Sequence, residues 1–292
     1  MKLKAYKYQG AGNDFVILDN RNKSISLGTN HIKYLCDRRF GVGGDGLMLL
    51  EPSKQFGFSM KYFNSDGSSG MMCGNGGRCL AAFAVHRGIK ADTFEAVDGI
   101  HHFKIIEYSS KNCIVELGMI NVSNIRELSP KRFHLNTGSP QLVIFVEDLR
   151  GHDVIGEGRL WRNHSTFPDG TNVNFVKGNW GRDSTNWGHT LHSGAPLEIS
   201  LRTYERGVED ETFACGSGIV ASAIAYHKLL NSHRAIKADE LPIKVSTNVK
   251  AVGGDLNVTF DYHGGENYSN VLLTGPATFV FECDIELENR LF

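Results

Sequence analysis

The chain has 292 residues, 41% hydrophobic and 22% charged, with a formal net charge of -1 at pH 7. That is the balance of an ordinary globular protein; it argues against bulk nucleic-acid binding, which needs a basic face, and no apolar run approaches the length of a membrane span. Six cysteines in a chain this long do not make a disulfide framework, and no Cys-x-x-Cys or Cys/His spacing points to a metal site.

The opening segment, Met1 to Lys7, leads into polar residues without the apolar core of a signal peptide. The expectation is a cytoplasmic protein. Strands are predicted at Leu3–Tyr8 and Phe15–Asp19, separated by a Gly10-Ala11-Gly12-Asn13-Asp14 turn. A short helix is predicted from an Asn30 cap through Arg38, with Gly41 ending it. Strands follow at Leu47–Glu51 and Phe58–Phe63. The apolar run after Cys73 reads as a helix ending at Gly88, a residue suited to a left-handed cap. Phe94–Val97, Phe103–Tyr108 and Cys113–Leu117 complete a first set of strands.

A second unit is expected from about residue 119. Its strands are predicted at Leu142–Val146, Val173–Val176, Leu197–Tyr204, Ile243–Ser246, Leu256–Phe260 and Val271–Leu273. Its helix runs from about Gly216 to Leu230, with Asn231 as a stop. Residues 178–196 are rich in Gly, Asn, Trp and His and read as a loop. The predicted division is 1–118, joined by a C-terminal strand at about 277–292, and 119–276. Strands around a central helix, twice, make an α+β fold of two pseudo-symmetric domains, each a mixed, mostly antiparallel sheet.

The halves repeat. Sliding the chain by the 142-residue interval from Cys73 to Cys215 brings Tyr62 onto Tyr204, Gly74 onto Gly216, Gly76 onto Gly218 and Ala81 onto Ala223. Each cysteine thus opens a glycine-rich helix start. Free N–H groups and the helix dipole there favour negative charge, which lowers a thiol pKa and makes a pocket for a carboxylate. Two such thiols suit removal of a proton from one face of a carbon and its return on the other, at one site where the copies meet. Cys36, Cys79, Cys113 and Cys283 read as small buried hydrophobes. Glu205 and Arg206 offer one group for an ammonium and one for a carboxylate, although a surface ion pair is the commoner fate of such residues. Asn13, Asn64 and Asn172 lie in tight turns, where Asn is expected for backbone reasons alone.

Together, Gly10-Ala11-Gly12-Asn13-Asp14-Phe15-Val16, Phe63-Asn64-Ser65-Asp66-Gly67, Cys73-Gly74-Asn75-Gly76-Gly77-Arg78-Cys79, Gly170-Thr171-Asn172 and Tyr204-Glu205-Arg206-Gly207 with Ala214-Cys215-Gly216-Ser217-Gly218 resemble the diaminopimelate epimerase family, in its order. The resemblance implies a cofactor-independent epimerase, without pyridoxal phosphate or metal. It implies interconversion of LL- and meso-diaminopimelate in lysine and peptidoglycan synthesis, and a homodimer. By position, Cys73 and Cys215 resemble the family's acid/base pair. The N–H groups of Gly74, Asn75, Gly216 and Ser217 would hold the reacting carboxylate, and Asn13 would line the reacting end. Asn64, Asn172, Glu205 and Arg206 would recognise the distal amino-acid end, and Glu205 would also support Cys215.

One position departs from the family pattern. In Gly138-Ser139-Pro140-Gln141, Gln141 stands where the family has a histidine placed to assist the cysteine equivalent to Cys73. Glutamine hydrogen-bonds but exchanges no proton near neutral pH. His152 and His164 are nearby in sequence. The departure keeps open a two-cysteine racemase of another amino acid on the same fold. A thiol redox or metal-binding protein and a non-catalytic amino-acid binder are the alternatives of other classes.

Overall fold

The computed structural model describes residues 1–178, 195–231 and 240–287. These form two compact units, residues 1–117 with 275–292 and residues 118–274. The loop expected at 178–196 lies, apart from its two ends, outside the described residues.

In the first unit β1 (Lys2–Gly10) and β2 (Asn13–Asp19) form a hairpin. Ala11 and Gly12 at its tip have φ of 52° and 83°. Helix α1 (Thr29–Cys36) leads into β3 (Gly46–Glu51) and β4 (Ser59–Asn64). Helix α2 (Gly74–His86) is followed by β5 (Thr93–Ala96), β6 (Gly99–Tyr108) and β7 (Asn112–Gly118). The last strand, β16 (Tyr268–Glu286), pairs with β7 over residues 275–278 and with β1 over residues 278–286. Strands β1 to β7 and this part of β16 therefore close into a barrel. Helix α2 packs against β1, β2, β3 and β6, and Gly74 to Ala84 are all buried. A helix buried on every side has to be apolar and small all round, which is what Leu80-Ala81-Ala82-Phe83-Ala84 supplies.

In the second unit β8 (Arg126–Ser129), β9 (Arg132–Asn136) and β10 (Pro140–Phe145) form a meander. Helix α3 (Val154–Arg162) leads to β11 (Asn172–Gly178), parallel to β10, and β12 (Leu197–Glu205) carries the short β13 (Asp210–Thr212) at its edge. Helix α4 (Gly216–Asn231) precedes β14 (Ile243–Ala251) and β15 (Gly254–Tyr262). The sheet order is β8-β9-β10-β11-β12-β14-β15, continued by residues 268–274 of β16. Residues 119–122, just before β8, pair with β16, where Val122 and Tyr268 exchange backbone hydrogen bonds, and α4 packs against β9, β10, β11, β12, β14 and β15.

In both units two strands, β2 and β3 in the first and β10 and β11 in the second, carry apolar residues on both faces, because a second helix covers the outside. Val16, Leu18, Leu47 and Leu49 meet Ile32 and Leu35 of α1. Leu142, Ile144, Val173 and Phe175 meet Val154 of α3. Strands buried on both faces read as continuous apolar runs rather than alternating ones.

Several expectations need correction. Helix α1 starts after Gly28, not at an Asn30 cap, and ends at Cys36 with Asp37 extended at ψ 128°. The strand predicted at Val271–Leu273 and the C-terminal strand predicted from about 277 are one element, β16; Gly275-Pro276 does not break it, since an antiparallel strand tolerates a proline where no N–H is needed. Cys283 is half-buried, whereas Cys36, Cys79 and Cys113 are buried. Helix α3 was not expected, because Gly156 and Gly158 weaken its pattern. It is started by Asp153, whose side chain accepts the Gly156 N–H at 2.9 Å. Gly158 is required there, since a Cβ would sit 2.5 Å from Tyr204 Cβ. Among the described residues no helix is long and apolar enough to cross a membrane.

Candidate active site

Cys73 is the N-cap of α2, with extended backbone at φ -112° and ψ 121°, and is half-buried. Its carbonyl accepts the Gly77 N–H at 2.7 Å, the first bond of the helix. The N–H groups of Gly74 and Asn75 follow in the first turn, where a helix has no partner of its own for them. The thiol donates to Asn13 Oδ1 at 3.6 Å, and the Asn75 amide donates to the same oxygen at 3.4 Å. The Asn13 amide is held from its other end, because its nitrogen donates to Asp45 Oδ2 at 2.6 Å. Asp45 is bridged by Arg38 to Asp14, which also pairs with Lys7. These two cations hold the Asp14 carboxyl well below the usual range despite its burial. The hairpin tip and the loop after α1 therefore present an acceptor oxygen to Cys73.

Arg78, one turn into α2, is completely buried. Its guanidinium donates to Gly74 O at 3.3 Å, to Asn75 Oδ1 at 2.9 Å and to Pro276 O at 3.4 Å. Among the described residues no carboxylate pairs with it. Burial pushes it down to about 10, with the Cys79 and Cys73 sulfurs acting the other way, so it is a cation at neutral pH. A buried cation without a carboxylate is costly, and it raises the potential felt by an anion at the start of α2.

Cys215 occupies the matching place before α4 and is buried, 6% exposed. Its carbonyl accepts the Ile219 N–H at 2.9 Å. Gly216 and Ser217 open the helix, and the Ser217 hydroxyl lies 3.5 Å from the Cys215 sulfur. The position matching Arg78 is Val220, also buried. Val220 carries no charge; Gln141 of β10, Asn174 of β11 and Thr203 of β12, all buried, gather beneath the turn.

Gln141 is fully buried. It donates to Ser139 Oγ at 2.8 Å and to Ser217 Oγ at 3.0 Å, and accepts from Asn174 at 2.9 Å. His152 and His164 belong to the α3 side of the sheet, His152 against Phe175 at 4.3 Å between ring centroids and His164 against Trp161 at 5.0 Å. Neither takes part in the Gln141 cluster.

The remaining expected site residues have these places. Asn64 donates to Ser68 Oγ at 3.0 Å within the turn after β4, with Gly67 at φ 80°. Asn172 is buried, accepts the Arg206 backbone N–H at 2.8 Å, and donates to Ser139 Oγ and Pro140 O, both at 3.3 Å. Glu205 accepts from Thr212 Oγ1 at 2.9 Å, and the Arg206 guanidinium donates to Asp169 O at 2.9 Å. Asn172, Arg206 and Ser139 thus form one group at the ends of β10, β11 and β12. Sequence reasoning missed the parts played by Arg78, Asn174, Thr203 and Asp45. The signal for Asn174 was present: a single amide in Val173-Asn174-Phe175-Val176, where every neighbour is apolar.

The sequence model of the diaminopimelate epimerase family matches residues 5–118 and 133–280. The chain belongs to the diaminopimelate epimerase family. It is 42% identical over 287 residues to a diaminopimelate epimerase of Flavobacterium psychrophilum, spanning 97% of this chain and 100% of that protein. A diaminopimelate epimerase of Chlorobaculum tepidum is 37% identical, spanning 95% and 99%. Among solved structures, a PhzF-family protein of Bacillus anthracis aligns with a TM-score of 0.70 at 12% identity, covering 98% of this chain and all of that one. A hydroxyproline epimerase from Agrobacterium vitis aligns at 0.64 and 11% identity, covering 99% and 94%. These structures share the fold. As a diaminopimelate epimerase family member the chain is an isomerase.

Proposed function

We propose that this chain interconverts LL- and meso-diaminopimelate by two-base chemistry, with Cys73 and Cys215 acting on opposite faces of one α-carbon and each unit serving as one epimerase half. What carries the reading is the pairing of full-length family membership with two thiols at matching buried helix starts. The α-proton of an amino acid is very weakly acidic. The N–H groups of Gly74, Asn75, Gly216 and Ser217 are suited to the reacting carboxylate, and fixed donors aimed at charge that grows in the transition state lower the barrier. A thiolate then removes the proton and the opposite thiol supplies one, with the roles exchanged in the reverse reaction. Asn13, fixed by Asp45, lines the reacting end. Asn64, Asn172, Glu205 and Arg206 recognise the distal amino-acid head; Asn172 bonded to the Arg206 backbone supports this, since it ties two of the four together. The family resemblance also supports a cytoplasmic homodimer, which light scattering on the purified protein tests.

The test is α-hydrogen exchange in D2O under reductant, followed by NMR. LL-diaminopimelate is run beside L-lysine, L-histidine and L-proline. Exchange and epimerisation are expected with diaminopimelate alone. Cys73→Ala and Cys215→Ala should each lower epimerisation by about 10²–10⁴-fold. Exchange with an amino acid of one stereocentre instead would overturn the substrate assignment, and full activity in either cysteine variant would overturn the two-base scheme.

A further inference from the structure

Gln141, Asn174 and Thr203 are 0%, 0% and 2% exposed. They form a chain of hydrogen bonds whose direction is set by chemistry. Asn174 Nδ2 lies 3.2 Å from the Leu142 carbonyl, which only accepts. The nitrogen must therefore face that side, and its second hydrogen goes to Gln141 Oε1 at 2.9 Å. Asn174 Oδ1 is left to accept from the Thr203 hydroxyl, also at 2.9 Å. With its oxygen taken, Gln141 must turn its nitrogen to Ser139 Oγ and Ser217 Oγ.

The hydroxyls of Ser139 and Ser217 each have one donor and two acceptor sites. Ser139 Oγ accepts from Gln141 and from Asn172, so its own proton goes to Ser217 Oγ at 3.1 Å. Ser217 Oγ then accepts twice, from Gln141 and Ser139. The remaining neighbour for its proton among the described residues is Cys215 Sγ, at 3.5 Å. Gly218 keeps the chain intact, because a Cβ there would stand 2.2 Å from Asn174 Oδ1.

We propose that Gln141 is a positioning residue: through Ser139 and Ser217 it directs a hydroxyl proton at the Cys215 sulfur and so stabilises the thiolate of Cys215. This deepens the two-thiol reading of the site. It gives the glutamine a part that needs no titrating group. A donor to an ionised sulfur favours the ionised form. By strand alternation, the titratable side chains directed at α4 from its neighbouring strands are Glu205 of β12, Tyr262 of β15 and, against His227, Tyr268 of β16. Glu205 is bound by Thr212. Tyr262 lies against His227, 4.7 Å between ring centroids, toward the other end of the helix from Cys215. Tyr226, His227 and Lys228 belong to that same far part of α4. None of them is a link in the chain to Ser217.

The experiment measures the pH midpoint of iodoacetamide labelling at each cysteine in the reduced, substrate-free protein, by peptide mass spectrometry. Ser217→Ala removes the donor, Gln141→Met removes both amide hydrogens at similar length, and Ser217→Thr keeps a hydroxyl. The midpoint of Cys215 should rise by about one pH unit in Ser217→Ala and Gln141→Met and stay at the wild-type value in Ser217→Thr. The midpoint of Cys73 should not move, which also reports that the variants are folded. An unmoved Cys215 midpoint in Ser217→Ala, with Cys73 labelling normal, overturns the proposal. No substrate is present, so diaminopimelate turnover, measured separately on the same wild-type sample, decides the functional reading and not this one.

Discussion

The two helix starts share a backbone and a thiol but differ in what surrounds the sulfur. At Cys73 a buried guanidinium is linked through Asn75 and Asn13 to an Asp45 carboxylate, and the thiol rests on an acceptor oxygen. At Cys215 a chain of amides and hydroxyls reaches Ser217 Oγ, 3.5 Å from the sulfur. Duplication kept the geometry that exposes helix N–H groups. The means of tuning charge diverged, by a full charge at a distance on one side and by a hydrogen bond at contact on the other. Charge through low-dielectric protein carries further than a hydrogen bond, which acts only on the atom it touches.

The strongest way to break this comparison is Arg78→Met. If the guanidinium supports anions at the start of α2, turnover should fall about 10²-fold. The labelling midpoint of Cys73 should rise while that of Cys215 stays. Equal shifts at both sulfurs would mean that Arg78 acts on the whole fold. The paired glycines sharpen the contrast. Gly218→Ala meets Asn174 Oδ1 at 2.2 Å, whereas Gly76→Ala meets the flexible Met48 sulfur at 3.1 Å. Urea unfolding should show Gly218→Ala losing about 1–3 kcal/mol and Gly76→Ala less; equal losses would contradict the packing described here.

The far end of α4 differs as well. Burial lowers His227 to about 3, and its ring stands edge-on to Phe260, Tyr262 and Tyr268. Its folded value lies below its unfolded value of 6.5, so the unfolded chain binds the extra proton between them. Stability is full above pH 6.5 and is lost as pH falls toward 3, by up to about 1.4 kcal/mol per pH unit for this group. Burial shifts His134 in the same direction. Denaturation midpoints from pH 7 to 5 should decline, and His227→Gln should flatten the decline; an unchanged slope would assign it to other groups. The smallest effect belongs to the outer helices. Asp153→Ala removes the side-chain cap of α3 and should cost about 1 kcal/mol in thermal unfolding, while α1, whose N-cap is Gly28, has no such bond to lose.

Much of this was legible in the sequence because strong local signals agreed. A glycine-rich start followed by Leu80-Ala81-Ala82-Phe83, and by Ile219-Val220-Ala221, could only be a buried helix. The strands were found where apolar runs were long, and missed where they were short and polar, as at β8 and β9. Arg78 was hidden because a charged residue in a helix is ordinarily exposed; its burial follows only once the barrel closes round α2. The Gln141 cluster was hidden for a different reason. Residues 141, 174 and 203 are far apart in the chain, and only the register of β10, β11 and β12 brings them together. A resemblance identifies the cysteines, but it does not say what a substituted glutamine touches.

The closure of the first unit by β16 has a consequence for synthesis. Strand β1 leaves the ribosome well before its partner over residues 278–286. Between them the whole of residues 118–274 must be made. The amino-terminal barrel therefore waits, with the edges of β1 and β7 unsatisfied, while the second unit can complete most of its own pairing. Long-range strand pairing of this kind is slow and leaves sticky edges in the interim. The half that is translated first is thus the half that finishes last, and a chain stalled before residue 275 would carry Cys73 on a scaffold that cannot shut.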